Sequence, residues 1–322
     1  ATTEIYTLSL HDALPISREK GAESERVLLM RETIEKCVCK ALLGEVYTTP
    51  KPGLVDLKDN GAHKDMDVHT FEKSTAAIAP YIAEMFCEGY ANQQSLENLF
   101  ARIRQIGIEA EKAMFEATKG INTHKGILFT MGIISGAAGY YYRKQHHFCV
   151  EEVLTLGGAM CQKALQNDFE KIINKIQASR SLIDIPLTHG EKMYLRYGIR
   201  GARGAAQDGF PILADYLWPL FGKYKKERKS GHTLNLQILL WAITLSEDTN
   251  VLKRGGIEGG VWLKKAAQNI LEEGGAFTQK GISEIKRLNT ECIQKNISPG
   301  GAADLLAATL YLEELSSNLN EV

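Results

Sequence analysis

Apolar residues recur at steps of three and four along most of the chain, and this spacing limits the fold more than any other feature. The pattern runs over residues 27–46, 71–85 and 96–114. Such spacing places the apolar side chains on one face of an α-helix. No run of alternating β-branched residues indicates a strand, and no hairpin turn joins strand-like segments. The sequence therefore predicts an all-α fold.

The second half of the chain continues in the same way. Thr188 and Glu191 have the spacing of a capping box, which would open a short helix that ends at Gly198. We expect further helices at about 211–221, 232–246, 257–273, 282–295 and 302–316. No internal repeat with a period of about 20–50 residues stands out, which argues against a solenoid. We predict a single compact multi-helix domain.

Residues 126–142 carry no charged side chain over 17 positions. That length only reaches the lower limit for a membrane span, and no second such segment exists. The stretch contains small residues that suit close packing between helices, among them Gly132, Ser135, Gly136, Ala137 and Ala138. We therefore predict a buried central helix and no membrane partner.

Composition excludes some classes of function. The chain has 38 basic and 39 acidic side chains, a net charge of −1, whereas a general nucleic-acid binder usually has a basic face. Its 44% hydrophobic and 24% charged residues are ordinary for a globular protein. The six cysteines form no CxxC pair, so neither a zinc site nor a disulfide framework is indicated, and we expect a reducing cytoplasm.

The first residues do not share the pattern of the rest. Residues 2–17 resemble a translated sequencing-adapter string, so we predict that residues 1–17 are not native and that the domain spans 18–322. This matters because His11 and Asp12 are the only adjacent His-Asp pair in the chain. An all-α metal-dependent nucleotide phosphohydrolase would need such a pair within its fold.

Five loops that contain glycine or proline carry the polar side chains of interest, at residues 49–67, 120–126, 201–211, 248–256 and 297–304. Most lead into a predicted helix, whose N-terminus attracts anions through its unpaired N–H groups and dipole. Glycine lets the backbone approach a ligand closely. Together the loops indicate a site for a small phosphorylated ligand, although each one alone also fits an ordinary turn or helix cap.

Individual loops indicate particular chemistry. The prolines around Lys51 would hold its ammonium group in one direction. Alternate positions 63, 65 and 67 hold His, Asp and Asp, which fits a general base, a divalent-cation site or an acidic helix cap. In the last loop, Ser298 is expected to cap a helix that begins at Pro299, with the amides of Gly300 and Gly301 presented to a phosphate.

Six motifs stand in a fixed order: TPKPGLVD, GAHKDMD, NTHKG, GARG followed by GFP, DTN followed by RGG, and NISPGGAADLL. Over roughly residues 27–314 the chain resembles the triphosphoribosyl-dephospho-CoA synthases. The resemblance implies a transferase that moves the 5-triphosphoribosyl group of ATP to the 2′-hydroxyl of 3′-dephospho-CoA and releases adenine. Its product is the precursor of the prosthetic group of citrate lyase or malonate decarboxylase, and would pass to a holo-acyl-carrier-protein synthase.

The resemblance also implies roles for individual residues. The reaction inverts the anomeric carbon, so it needs a base, help for the departing adenine, and cations for the triphosphate. We assign the base to Asp65, oriented by His63, and rank Asp67 below them. The predicted triphosphate ligands are Lys51, His124, Lys125, Arg203, Arg254, Gly300 and Gly301. Other predicted substrate contacts are Asn122, Thr123, Asn250 and Ser298. A triphosphate usually brings Mg²⁺, for which Asp248 and Asp304 are the candidates.

The chain departs from the family pattern at one segment. Ala205 stands where family members usually carry a glutamate after the Gly-x-Arg-Gly sequence, and Gln207 stands where an acidic residue is common. If that glutamate is catalytic, Asp208 is the residue that would replace it. Two other classes stay open at this point, the phosphohydrolase and a helical interaction module. Adenine release, measured with and without dephospho-CoA, separates all three.

Overall fold

The computed structural model describes residues 14–178 and 187–320, which contain twelve α-helices and no strand. The helices are α1 (Leu14–Tyr47), α2 (Val68–Ala91), α3 (Leu96–Ala117), α4 (Lys125–Gln145), α5 (Val150–Ala178), α6 (His189–Tyr197), α7 (Gly201–Gln207), α8 (Trp218–Lys226), α9 (Gly231–Leu245), α10 (Thr249–Glu272), α11 (Gln279–Gln294) and α12 (Gly300–Leu319). A π-helical turn covers Ile212–Leu217 and a 3₁₀ turn covers Gly275–Phe277. The all-α prediction is confirmed.

Three elements differ from the sequence prediction. Helix α5 was not predicted, although its buried residues at 150, 153, 154, 160, 161 and 165 follow helical spacing. Helix α7 replaces part of the loop predicted at 201–211. Helix α10 begins near residue 249 instead of 257, and Gly256 interrupts it with φ 64° and ψ −170°. Only a glycine adopts that conformation easily, which explains why the sequence alone suggested a helix start there.

Helix α4 is the predicted buried central helix. It contacts α2, α3, α5, α7 and α12, and thirteen of its residues are buried. A β-carbon at Gly139 would overlap the carbonyl oxygen of Phe86 in α2, and one at Gly89 in α2 would overlap that of Gly136. Glycine at these positions lets the two backbones approach each other more closely than any other residue would allow. No helix within the described residues is long and apolar enough to cross a membrane.

The helix ends near α4 hold the loops that carry the motifs. Helices α1 and α12 pack together, and α12 also contacts α4, α9 and α10. The loop between α1 and α2 carries residues 48–67. Its residue Ala62 accepts a hydrogen bond from Arg254 of α10. The same loop contacts the segment before α12 through His63 and Ser298. Asp248, which precedes α10, accepts an N–H group of α12, and Asp304 of α12 packs against Gly126 of α4, so the N-termini of these three helices lie together.

The predicted non-native segment falls mostly outside the described part of the chain. Residues 1–13, with His11 and Asp12, lie outside the described residues. The boundary proposed at residue 17 therefore stays a prediction.

Candidate functional site

The predicted loops meet in one cleft of about 1050 Å³. Fourteen of the predicted site residues line it: Lys51, His63, Asn122, Thr123, His124, Lys125, Arg203, Asp248, Asn250, Arg254, Ser298, Gly300, Gly301 and Asp304. They come from segments up to about 250 residues apart in the sequence, so only the folded chain brings them together. Asp65 and Asp67 are not part of the cleft wall.

Asp248 joins the starts of two helices. One carboxylate oxygen accepts the N–H groups of Asn250 and Val251 at 2.8 and 3.3 Å, which caps α10. The other accepts those of Gly301 and Ala302 at 2.6 and 3.2 Å, which caps α12. Because the N–H group of Gly301 already donates to Asp248, it could bind a phosphate only after that hydrogen bond breaks.

The cap predicted for α12 is wrong. Ser298 was expected to cap a helix that begins at Pro299, but α12 begins at Gly300 and takes its cap from Asp248. The hydroxyl of Ser298 instead lies 2.8 Å from Nε2 of His63. The local capping pattern at Ser298 fails because Asp248, 50 residues away in the chain, accepts the N–H groups of Gly301 and Ala302 instead.

His63 connects Arg254 to Ser298. The guanidinium of Arg254 donates to Nδ1 of His63 at 3.2 Å, and also to the carbonyl oxygen of Ala62 at 2.7 Å. Since Nδ1 accepts, the ring proton lies on Nε2 and is donated to Ser298. Burial lowers the pKa of His63, and the Arg254 charge lowers it further, so the ring is neutral.

Lys51 is buried in an ion pair with Glu45. The two side chains are 1% and 7% exposed, and the backbone N–H of Lys51 donates to Asp56 at 2.8 Å. Burial raises the pKa of Glu45, while Lys51 opposes that shift. The ammonium of Lys51 is therefore directed by the proline-bounded loop, as expected, but a carboxylate that the sequence analysis missed already neutralises it.

His124 ends a chain of hydroxyl hydrogen bonds. Thr123 donates to the hydroxyl oxygen of Ser74 at 2.7 Å, and Ser74 lies 2.7 Å from Nδ1 of His124. His124 is 4% exposed, and its Nε2 has no hydrogen-bond partner among the described residues. Burial, and then the charge of Lys51, lowers the pKa of His124 to about 3.

Asp304 places a carboxylate in the cleft near the start of α12. No described residue forms an ion pair or hydrogen bond with its side chain, and Oδ2 packs against Gly126 at the start of α4. Burial raises the pKa of Asp304 well above its usual range, and the carboxylates of Asp248 and Glu45 raise it further. A carboxyl group with a raised pKa facing a cleft is a common feature of acid–base sites.

The remaining predicted carboxylates lie away from this point. The side chain of Asp65 is 64% exposed, and its oxygen is 3.8 Å from Nδ1 of His63. Asp67 caps α2, where its side chain accepts the N–H and hydroxyl of Thr70 at 2.8 and 2.7 Å. The structure therefore gives Asp67 the role of the acidic helix cap that the sequence left open.

Four cations of the wall are paired with carboxylates: Lys51 with Glu45, Arg104 with Asp168, Lys125 with Glu111, and Arg200 with Asp208. Three others form no ion pair with any residue that the structure describes: Arg203, Lys253 and Arg254. Lys253 was not predicted, because nothing in the local sequence separates it from a solvated helix lysine. The paired carboxylates cancel most of the charge of the wall, so these three cations are the ones available to an anion.

The sequence model of the family described as ATP:dephospho-CoA triphosphoribosyl transferase matches residues 31–322. This chain belongs to that family. The resemblance predicted from the motifs is thereby confirmed.

Relatives of this family member cover most of its length. A Photobacterium profundum protein named probable 2-(5''-triphosphoribosyl)-3'-dephosphocoenzyme-A synthase is 38% identical over 277 residues, 86% of this chain and 85% of the relative. A Klebsiella pneumoniae protein of the same name, without "probable", is 36% identical over 290 residues, 88% and 91% of the two chains. A Streptococcus mutans relative named as probable is 37% identical, covering 86% and 94%. No solved structure matches this chain significantly.

The transferase-family cleft does not fit a resident metal ion. Within residues 14–178 and 187–320, no group of three or more His, Cys, Asp or Glu side chains is arranged to hold one. Both oxygens of Asp248 accept backbone N–H groups, which leaves Asp304 as the open carboxylate of the predicted pair. A Mg²⁺ site at Asp248 and Asp304 would need the phosphates of ATP to complete it, and it stays a prediction.

At the segment that departs from the family pattern, Ala205 lines the cleft. Asp208, the predicted replacement for a glutamate, pairs with Arg200, and one of the two contacts measures 3.1 Å. Gln207 also accepts from Arg200, at 3.2 Å. Because Asp208 is paired with Arg200, it could act on a substrate only after leaving that ion pair.

Proposed function

We propose that this chain transfers the 5-triphosphoribosyl group of ATP to the 2′-hydroxyl of 3′-dephospho-CoA and releases adenine. One observation carries the proposal. The motif segments are spread over the whole region that matches the family, and they all line a single cleft. A volume of about 1050 Å³ lies at the upper end of the range for small-molecule sites, as two nucleotide substrates require.

The triphosphate is assigned to the cations that have no carboxylate partner. Arg203 and Lys253 contribute freely placed charges, and Arg254 adds a guanidinium that His63 and Ala62 already orient. A triphosphate carries about four negative charges, and an unpaired cation loses no existing ion pair when it binds one. The predicted ligand Lys125 would first have to leave Glu111.

The general base is assigned to Asp304. In the reaction, O2′ of dephospho-CoA bonds to C1′ of ATP and the hydroxyl proton moves to the base. The C1′–N9 electron pair leaves with the purine, which takes up one proton to become neutral adenine. The carboxylate of Asp304 lines the cleft, and its raised pKa brings it nearer to neutrality, where a general base works best. Such a base typically contributes about 10²–10⁴ in rate.

Asp65 remains the second candidate for the base, because it belongs to the predicted acidic motif and lies next to His63. Its side chain is 64% exposed and is not part of the cleft wall, which argues against the role. The variants Asp304→Asn and Asp65→Asn decide between the two residues.

Adenine release, followed by chromatography, tests the function. With ATP and dephospho-CoA together we expect stoichiometric adenine and a triphosphoribosylated product, and with ATP alone no adenine. Phosphate release, or adenine release that needs no acceptor, would instead support the phosphohydrolase. A chain that consumes no ATP would contradict both enzymatic proposals and favour an interaction module. Delivery of the product toward citrate lyase or malonate decarboxylase, through a holo-acyl-carrier-protein synthase, stays a prediction.

A further inference from the structure

One ring nitrogen of His124 is a buried polar atom without a partner in the part of the chain that the structure describes, as is the hydroxyl of Ser246. The imidazole of His124 is 4% exposed, yet Nε2 has no hydrogen-bond partner among the described residues. A buried polar atom without a partner is costly, so native structures keep few of them. Since His124 lines the cleft, a ligand bound there is the natural partner for Nε2.

The neighbouring hydroxyls determine what Nε2 offers. Thr123 donates its hydroxyl hydrogen to Ser74, so Ser74 has its own hydrogen left for Nδ1 of His124. With Nδ1 as the acceptor, the single ring proton of a neutral imidazole lies on Nε2. In this tautomer Nε2 is an N–H donor without an acceptor among the described residues.

The surroundings indicate the kind of acceptor. The rings of Phe71 and His124 form a T-shaped pair with centroids 5.0 Å apart, and the backbone N–H of His124 contacts the sulfur of Met114 at 3.4 Å. Helices α2, α3 and α4 also line the cleft with apolar side chains, among them Met85, Phe100, Ile103 and Ile133. The charge of Lys51, which acts on His124, is already neutralised by Glu45. A largely apolar wall with an oriented donor therefore suits a planar heterocycle better than a phosphate, which attracts unpaired cations.

We propose that His124 donates its Nε2–H to a ring nitrogen of the adenine of ATP, and that Ser74 and Thr123 are positioning residues that hold this tautomer. The inference rests on the proposed function. When the C1′–N9 bond breaks, its electron pair spreads over the purine to N3 and N7, so a donor aimed at either nitrogen binds more strongly as adenine departs.

Analogues of ATP test the acceptor directly. With ATP, His124→Leu should lower kcat about 10- to 100-fold, since a lost hydrogen-bond donor at a developing charge costs at least that much. In the wild-type chain, either 3-deaza-ATP or 7-deaza-ATP should lower kcat by a similar factor. In His124→Leu, the same analogue should lower kcat hardly further than the substitution already does. His124→Gln, which keeps an N–H donor, is the matched control and should recover part of the rate.

The proposal would be overturned if each analogue lowered the rate by the same factor in the wild type and in His124→Leu. Normal turnover of ATP by His124→Leu would overturn it too. If the wild-type chain releases no adenine at all, the proposed function fails, and that result is distinct. Should the leucine variant not fold, Ser74→Ala gives the same test through the tautomer. Nitrogen-15 NMR should show His124 protonated at Nε2 in the wild type and a mixture of tautomers in Ser74→Ala, and an unchanged spectrum would remove Ser74 from this role.

Discussion

The carboxylate of Asp304 packs against the α-carbon of Gly126, and a β-carbon on that glycine would overlap Oδ2. The contact joins the first turn of α4 to the first turns of α12, so it fixes the position of the proposed base relative to His124 and Lys125. It also gives a reason for glycine at the second residue of a helix, where its conformational freedom is a disadvantage.

Gly126→Ala should therefore lower turnover without unfolding the chain. The new methyl group has to displace the Asp304 carboxylate, and a misplacement of about 1 Å can cost about 10²-fold in rate. Gly222→Ala in α8 is the matched control, because a β-carbon there meets no atom within 4 Å. Steady-state kinetics and thermal melts of both variants check this, and equal kcat values would show that the contact does not matter for catalysis.

Asp304→Asn should abolish most activity and stabilise the fold. We expect kcat to fall about 10²–10⁴-fold with ATP binding retained, while Asp65→Asn stays within about threefold of wild type. The reverse ranking of these two variants would return the base role to Asp65.

The pH dependence of stability gives a second test of Asp304. Its folded pKa is raised, mainly by burial, so its contribution to stability is complete below the unfolded pKa of about 3.9 and is lost as the pH rises through the folded pKa. Asparagine does not ionise, so the melting temperature of Asp304→Asn should exceed that of wild type by a margin that grows with pH from about 4 upward. Calorimetry at several pH values measures this margin, and a margin independent of pH would contradict the burial argument.

Arg203→Ala and Lys253→Ala should each raise the KM for ATP about tenfold and change kcat less. Hydrogen bonds to charged groups contribute about 1.5–3 kcal/mol, and neither side chain has an ion pair within the described part of the chain to compensate. Lys286→Ala, an exposed lysine of α11, is the control. The increase should shrink at high salt, and an unchanged KM would exclude that residue as a phosphate ligand.

Asp67→Ala should weaken the fold and leave kcat unchanged. Loss of the helix cap costs about 0.5–2 kcal/mol. Hydrogen bonds from the hydroxyl, and then from the backbone N–H, of Thr70 lower the pKa of Asp67. Its contribution is therefore present above the unfolded pKa and is lost as the pH falls through the folded one, so wild type and variant should converge in strong acid. Denaturant titrations at about pH 7 and pH 2 compare them, and a kcat loss larger than about threefold would restore Asp67 as a catalytic candidate.

The sequence by itself determined the fold class, most helix positions and the set of polar loops. Helical spacing of apolar residues and the charge-free stretch at 126–142 are local properties, so they predicted α4 and most of its neighbours. The capping box at Thr188 and the helix end at Gly198 were also predicted, because both depend on contacts between residues close in the chain. Helix α5 carries the same periodicity and was available to the same reasoning.

Tertiary structure decided what each polar side chain does. Asp248 and Asp304 look alike in sequence. Asp248 accepts four backbone N–H groups, whereas the carboxylate of Asp304 lines the cleft with no hydrogen bond or ion pair from a described residue. Glu45 and Ser74 carry no motif signal, and they matter because Lys51 and His124 lie beside them. Burial and the partners of a charge are set by residues distant in the chain, so the spacing of side chains along the sequence does not contain them.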